Sequence, residues 1–349
     1  MNNKFCSRFY ESRLSPDLKS KIEKLKWLGL SVIACVFVVA AGVAEAQQPK
    51  KVPRIGYLHL RSAPSDQDEA FKQGLRELGW VDSQNIAIEY RWAAGKVDRL
   101  PVLAEELVGL KVDLIVAWAT PAVTEAKNAT RTIPIVMGPT ADPVGSGFVA
   151  SLSRPGGNIT GVSLMAPELA GKRLELLREV VPRLNRIAFL AHGGDPAHTL
   201  FVKEALDAGK SLGIQIQPVV VNGPAEFDGA FLAMTRERAG ALVVQPIFSI
   251  SIEQIRRIVD LAVRNRLPTI SDGSQFMEAG GLMYYGPERL ALVRRVPIYV
   301  DKILKGVKPA DLPVEQPTKF EFVVNLKAAK QIGLTIPPNV LVRADKVIK

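Results

Sequence analysis

Three histidines, His59, His192 and His198, are present, and two of them flank Asp195 at intervals of three residues. Zinc needs three or four converging donors, and His192, Asp195 and His198 are donors of the right type. They lie, however, in "AHGGDPAH", a glycine-rich stretch running from a strand into a helix. There Asp195, next to Pro196, reads as a turn that caps the following helix. Serine chemistry has less support. No Gly-x-Ser-x-Gly elbow exists, since "VGSGF" and "GVSLM" lack the flanking spacing. His192-Gly193-Gly194 resembles an esterase oxyanion motif only in isolation. Neither Gly-x-Gly-x-x-Gly nor Gly-x4-Gly-Lys-Ser/Thr occurs. Asp66, Asp68, Glu69 and the pair Glu105-Glu106 sit at helix starts or on solvated faces, where the helix dipole accounts for them in part. The chain therefore offers no catalytic set, no cofactor loop and no metal cluster, and it does not read as an enzyme.

"SRPGGNITG", residues 153–161, is ambiguous at first sight. Its three glycines suggest a phosphate cradle, Asn158-Ile159-Thr160 matches a glycosylation sequon, and Pro155-Gly156-Gly157 suggests a turn. The glycines miss both phosphate-loop spacings and precede a strand instead of opening a helix. Pro155-Gly156-Gly157 is expected to end a helix in "FVASLSR", and "NITGVSL" to begin a strand. The stretch falls between two series of elements. Gly157, Asn158, Thr160 and Gly161 are therefore the candidate hinge of a crossover.

The chain has 349 residues, 47% hydrophobic and 23% charged, long enough for two domains. Its start differs from the rest. Seven basic residues precede "WLGLSVIACVFVVAAGVAEA", apolar from Trp27 to Val43 and ending in Ala44-Glu45-Ala46. This is expected to be a secretory signal peptide, cut after Ala46. An uncleaved anchor is the second reading, although the run is at the short limit for a membrane span. Lipidation at Cys35 is the third, although it would cut the apolar segment in its middle. Cys6 and Cys35 both fall in the leader, so the exported chain has no cysteine for a disulfide, a nucleophile or zinc. Without the leader, 38 basic and 31 acidic residues leave a net charge of +7. The basic residues are scattered and not interleaved with aromatics, and the export signal also argues against nucleic acid as a partner.

From Arg54 the pattern alternates between short apolar runs and amphipathic stretches. "RIGYLHL", "NIAIEYRW", "VDLIVAW" and "TIPIVM" read as strands, with helices between them. In "TPAVTEAKNAT" Thr120 is the expected N-cap and Pro121 the first helical residue. After residue 160 the pattern restarts and runs through "ERLALVRRVPIYVDKILKG", a helix interrupted by Pro297, to a last strand and helix in "KFEFVVNLKAAKQIG". The fold class is α/β, with two doubly wound parallel-sheet lobes. In such sheets ligands bind beyond the carboxyl ends of the strands. The loops there are rich in small polar residues. Ser62, Trp118, Thr120, Pro121, Thr140, Asp142, Asp195, Phe248, Ser249, Asp272 and Phe276 are the candidate ligand-binding residues. Helix N-termini such as the Thr120 loop suit a carboxylate, and Asp142 or Asp272 suits an ammonium.

"FKQGLRELGWVDSQNIAIEYRWAAGKVDRLPVLAEELV", "DPVGSGFVASLSRPGGNITGVS", "EAGGLMYYGP" and "ILKGVKPADLPVEQPTKFEFVVNLKAAKQIGLTIPP" resemble, in order and spacing, the ABC-transporter substrate-binding protein family related to the tryptophan-binding TrpX lipoproteins. The likeness covers about residues 53–349. It departs from the family's pattern at Trp118, where most relatives have a small residue, and at "HGGDP", where they have an Asn-rich loop. The resemblance implies a type I periplasmic-binding-protein fold. Lobe 1 would comprise 52–160 and 287–317, lobe 2 161–286 and 318–349, with Gly286, Pro287 and Pro317 as further hinge residues. It also implies a monomeric solute-binding protein of the periplasm that captures an amino acid, aromatic or not, or a small carboxylate, and delivers it to a membrane permease without a cofactor. A sensor of the same fold, presenting its solute to a receptor, is the second reading.

Overall fold

The computed structural model describes residues 52–62, 64–273 and 275–349, together with 16, 17, 20 and 21. The leader's apolar run, both cysteines and the Ala46 cleavage site lie outside the described residues. Val52–Lys349 form one unit built on two sheets.

The first sheet arises from βα repeats. Strand β1 (Arg54–His59) leads to helix α1 (Asp66–Glu77), β2 (Ala87–Trp92) to α2 (Leu100–Gly109), β3 (Leu114–Trp118) to α3 (Ala119–Ala129), and then come β4 (Ile135–Thr140) and β5 (Ile159–Ser163). All pairings are parallel, in the order β2-β1-β3-β4-β5. Central strands are covered on both faces, so β3 is buried along its whole length. Helix α1 starts cleanly because Ser65 and Asp68 form a reciprocal capping box.

The second sheet takes β6 (Arg186–His192), β7 (Gln215–Val221), β8 (Ala241–Val244), β9 (Thr269–Ser271), β10 (Met283–Pro287), β11 (Phe320–Asn325) and β12 (Lys346–Ile348). Its order is β12-β11-β10-β9-β8-β6-β7, parallel except for the β10–β11 pair. Helices α4 (Ala170–Val180), α5 (His198–Leu212), α6 (Phe227–Arg236) and α7 (Ile252–Arg264) link or cover these strands, and α10 (Leu326–Gln331) and α11 (Pro338–Val342) end the series. Two further helices, α8 (Arg289–Val293) and α9 (Val296–Leu304), pack against α1 and β4 of the first lobe. Pro297 thus opens a second helix, at a position where its missing N–H costs nothing.

The chain passes between the lobes three times, after β5, after β10 and before β11. Thr160 and Gly161 lie within β5, where Thr160 Oγ1 donates to Leu312 O and Gly161 O accepts from Glu315 N. Gly286 and Pro287 end β10, and Pro317 lies just before β11. Gly157 and Asn158 instead precede β5, at its end remote from the passage, where Asn158 Nδ2 donates to Ile133 O. β5 stays paired with β4 through Ser163, so the first sheet runs beyond residue 160 and the chain leaves it over residues 164–169. The expected helix in "FVASLSR" is absent, because Asp142 and Gly147 wind residues 142–147 into a turn and Ala150 N then bonds to Pro155 O. Thr120 is not an N-cap. β3 runs directly into α3, with Trp118 in the capping position and Ala119 at φ +67°.

A buried ion pair joins the passages. Arg173 Nη2 of α4 lies 2.8 Å from Asp272 Oδ2, close enough for charge attraction without the alignment of a hydrogen bond. Arg173 also donates through Nη1 to Ala166 O on the first passage and through Nε to Tyr285 O at the second. Replacing Arg173 with Met leaves the Asp272 carboxylate buried and unpaired. We expect a loss of about 3–5 kcal/mol in urea denaturation; a variant within about 1 kcal/mol of wild type would show that the pair does not hold the passages.

Candidate functional site

A cleft is lined by residues that follow the carboxyl ends of parallel strands in both sheets, among them Thr120 after β3 and Asp195 after β6. Its floor is aromatic. The Trp118 ring stacks on His59 (centroids 6.0 Å apart, 14° between planes) and stands edge-on to Phe71. A side chain at residue 138 would meet this indole, since a Cβ there would lie 2.3 Å from Trp118 Cε3, and the chain has glycine. His59 Nδ1 accepts from Arg61 N, so its proton belongs on Nε2. Burial, reinforced by the Arg61 charge, holds this imidazole well below its ordinary pKa, and it is neutral near pH 7.

The capping box of α1 also fixes Arg61. The guanidinium donates to Ser65 Oγ and to Gln67 Oε1 (2.6 Å), and it pairs with Asp68. Asp68 accepts from Ser65 N (2.6 Å) and from the Tyr57 hydroxyl. Burial, and after it the Asp68 charge, push the Tyr57 pKa well above its ordinary value, so the phenol remains a donor.

On the opposite wall, Asp195 accepts from Gln245 Nε2 (2.7 Å) and Ala197 N (3.0 Å). Gln245 is oriented in turn because its Oε1 accepts from His192 N. Ser249 lies on the turn Pro246–Ile250, and Gly273 makes room for its hydroxyl. Trp118 Nε1 and Ser249 Oγ are both buried, at 3% and 4% residue exposure, and neither has a hydrogen-bond partner among the described residues. A buried donor without an acceptor costs about 1–3 kcal/mol. Each of these two donors belongs to a residue that lines the same cleft, one from each sheet's side.

Of the residues expected from sequence, Trp118, Thr120, Asp195 and Ser249 line this cleft. The others do not. Ser62 is exposed outside it. Pro121 is buried in the first turn of α3, and Thr140 Oγ1 donates to Gly138 O. Asp142 binds the N–H groups of Val144 and Gly145, and Asp272 is paired with Arg173. Phe248 packs on Phe227 and His192, and Phe276 lies over Gly281. His192, Asp195 and His198 do not converge as ligands. His192 Nδ1 accepts from Gly194 N, and His198 Nδ1 contacts Asp195 O. Sequence reading missed Arg61, Gln67 and Arg289 on the cleft wall. A charged residue near a helix start reads as solvated until its buried carboxylate partner is known.

Burial, opposed by the Ala197 N–H and His198, pushes the Asp195 carboxyl from 3.8 up to about 6. The folded chain therefore holds this proton more tightly than the unfolded chain. The stability it contributes is fully present below about pH 4 and is lost as pH rises through about 6, to a total of roughly 3 kcal/mol. Asp195→Asn removes this titration. The stability of wild type relative to the variant, measured by urea denaturation, should fall between about pH 4 and pH 7; a pH-independent difference would refute it.

Relatives share this architecture. The chain is 26% identical over 287 residues to a tyrosine-binding protein of Clostridioides difficile (strain R20291), covering 82% of each. It superposes on the L-Trp complex of an ABC domain from Streptococcus pneumonia with a TM-score of 0.77 and 29% identity, covering 85% of this chain and 99% of that one. Against the ligand-free, open structure of a substrate binding protein with adhesive properties from Clostridium difficile the TM-score is 0.61, at 25% identity and with 85% and 99% covered. The family described as ABC transporter substrate binding protein matches residues 62–348, and this α/β chain belongs to it.

Proposed function

We propose that this chain is the extracytoplasmic solute-binding component of an ABC importer. It captures an amino acid or a small carboxylate between its lobes and delivers it to a membrane permease. The observation that carries the reading is that one cleft is lined by a residue of each lobe with a buried, unpartnered donor, Trp118 (Nε1) from the first and Ser249 (Oγ) from the second. A solute with an acceptor for each satisfies both only when the lobes are together, which ties binding to closure. Two of the three relatives named above, the tyrosine-binding protein and the L-Trp complex, point to amino acids. In that case Asp195 takes the ammonium, and the solute's apolar part rests against the cleft's apolar wall, of which Leu164, Phe201 and Ile247 are members. Trp118, stacked on His59, fills the floor, which favours a compact solute over a bulky one.

A thermal-shift screen of the exported protein against amino acids and small carboxylates tests this reading. A true solute at about 100 times its Kd stabilises the fold by about 2.7 kcal/mol. Ser249→Ala should weaken the calorimetric affinity for that solute about tenfold, the usual loss for one buried hydrogen bond. If no compound of either class shifts the transition, the reading fails.

A further inference from the structure

Arg289 is the first residue of α8, directly after the second passage between the lobes. Its backbone belongs to a helix packed on α1 and β4 of the first lobe. Its guanidinium turns the other way and donates through Nε (3.1 Å) and Nη2 (2.9 Å) to Asp272 O in the second lobe. Among the described residues no carboxylate forms an ion pair with it, and its Nη1 end has no hydrogen-bond partner. Asp272, whose carbonyl it holds, spends its own carboxylate on Arg173. Arg289 is thus a half-buried cation, fixed in direction by a neutral carbonyl and without an ion pair among the described residues, although Asp66, Glu278, Glu288 and Glu321 line a neighbouring pocket with it.

Arg289 lines the same cleft as Arg61. Burial lowers the Arg61 pKa, Asp68 and Tyr57 oppose it, and the like charge of Arg289 adds a smaller lowering effect, so the two guanidiniums sense one another. Arg61 is 9% exposed, and its position is fixed by Ser65, Gln67 and Asp68. Two cations thus line one cleft, and among the described residues Asp68 is the one carboxylate ion-paired with either of them. An anion placed there gains a charge-assisted hydrogen bond from the Nη1 side of Arg289, whose Nε and Nη2 are already held by Asp272 O, and charge attraction from Arg61. Trp118 Nε1 and Ser249 Oγ add neutral donors to the same cleft.

The geometry points to an anion seat at Arg289 and Arg61 that takes the acidic group of the solute, a carboxylate or a phosphate, and makes that group the ligand's latch on the closed lobes. This rests on the solute-binding reading above and narrows it, because a neutral solute such as a sugar or an amide offers no anion to the Nη1 side of Arg289. Arg289 is suited to the latch because its backbone rides with the first lobe while its guanidinium is anchored on the second. An anion seated on it therefore strengthens a link that already spans the passage.

The test is calorimetry on the full exported protein with succinate, inorganic phosphate and the neutral isostere succinamide as probes. We expect saturable binding of succinate or phosphate, and which of the two binds identifies the acid class, while succinamide shows none. Arg289→Gln should lose at least about tenfold in that affinity, the scale of one charge-assisted hydrogen bond. Arg289→Lys, which keeps the charge, should recover part of it. Arg76→Gln, an exposed arginine bonded only to Gln73, should change nothing. Wild-type protein that saturates with neither anion, or binds one equally well with Arg289→Gln, overturns the seat. If an amino acid from the thermal screen binds wild type and Arg289→Gln equally, the seat fails while solute binding stands. If the screen yields no solute at all, the broader reading fails on its own account.

Discussion

The two-lobed arrangement depends on the buried pair of Arg173 and Asp272. Neither side chain is accessible to water, so each charge is tolerated only because the other is there. The pair lies where the chain passes between lobes. Arg173 spends its other donors on the Ala166 and Tyr285 carbonyls. Asp272 presents its backbone carbonyl to Arg289, and a Cβ on Gly286 would come within 2.6 Å of its side chain. One ion pair thereby sets the positions of two passages and of the guanidinium that reaches the cleft. Such pairs contribute little net stability compared with an apolar replacement; their value here is in fixing one arrangement of the passages.

The cleft inherits its form from this frame and from a second constraint, the fit of Trp118. A large indole at the end of β3 needs space that β4 supplies with Gly138, and β4 departs from regular pairing with β5 between Met137 and Thr140. Ala119, the next residue, is held at φ +67°, a conformation that a residue with a side chain adopts only when its surroundings demand it. The strain sits at the cleft wall, where the direct turn from β3 into α3 brings Trp118 and Thr120 to the same opening.

Much of the architecture was legible in the residues. The runs "VDLIVAW" and "ALVV" are continuous apolar strands because parallel sheets bury both faces. The loops that border the cleft were identified as a set because parallel strands present their carboxyl ends on one edge. Within those loops the choice of residue was less successful. In "HLRSAPSD" the eye falls on Ser62, yet Arg61 lines the cleft, because Asp68 one helical turn into α1 draws its charge inward. In "SDGSQFMEAGG" Asp272 looked free for an ammonium, but its partner is Arg173, distant in sequence. The terminal strand β12 escaped notice because three residues, Lys-Val-Ile, carry no periodicity to detect.

The sequence by itself determined the class of the molecule. The alternating strands and helices, the absence of catalytic and phosphate-loop spacings, and the family's run of motifs are local properties, and local spacing encodes them. Only the tertiary structure decided which charges are spent and which remain. Arg61, Arg173 and Arg289 are alike as letters. One is bound by a capping box, one is consumed by a buried aspartate, and one is held by a carbonyl without an ion pair among the described residues. That difference comes from pairings between residues far apart in the chain, which depend on distance in space and on exclusion of water.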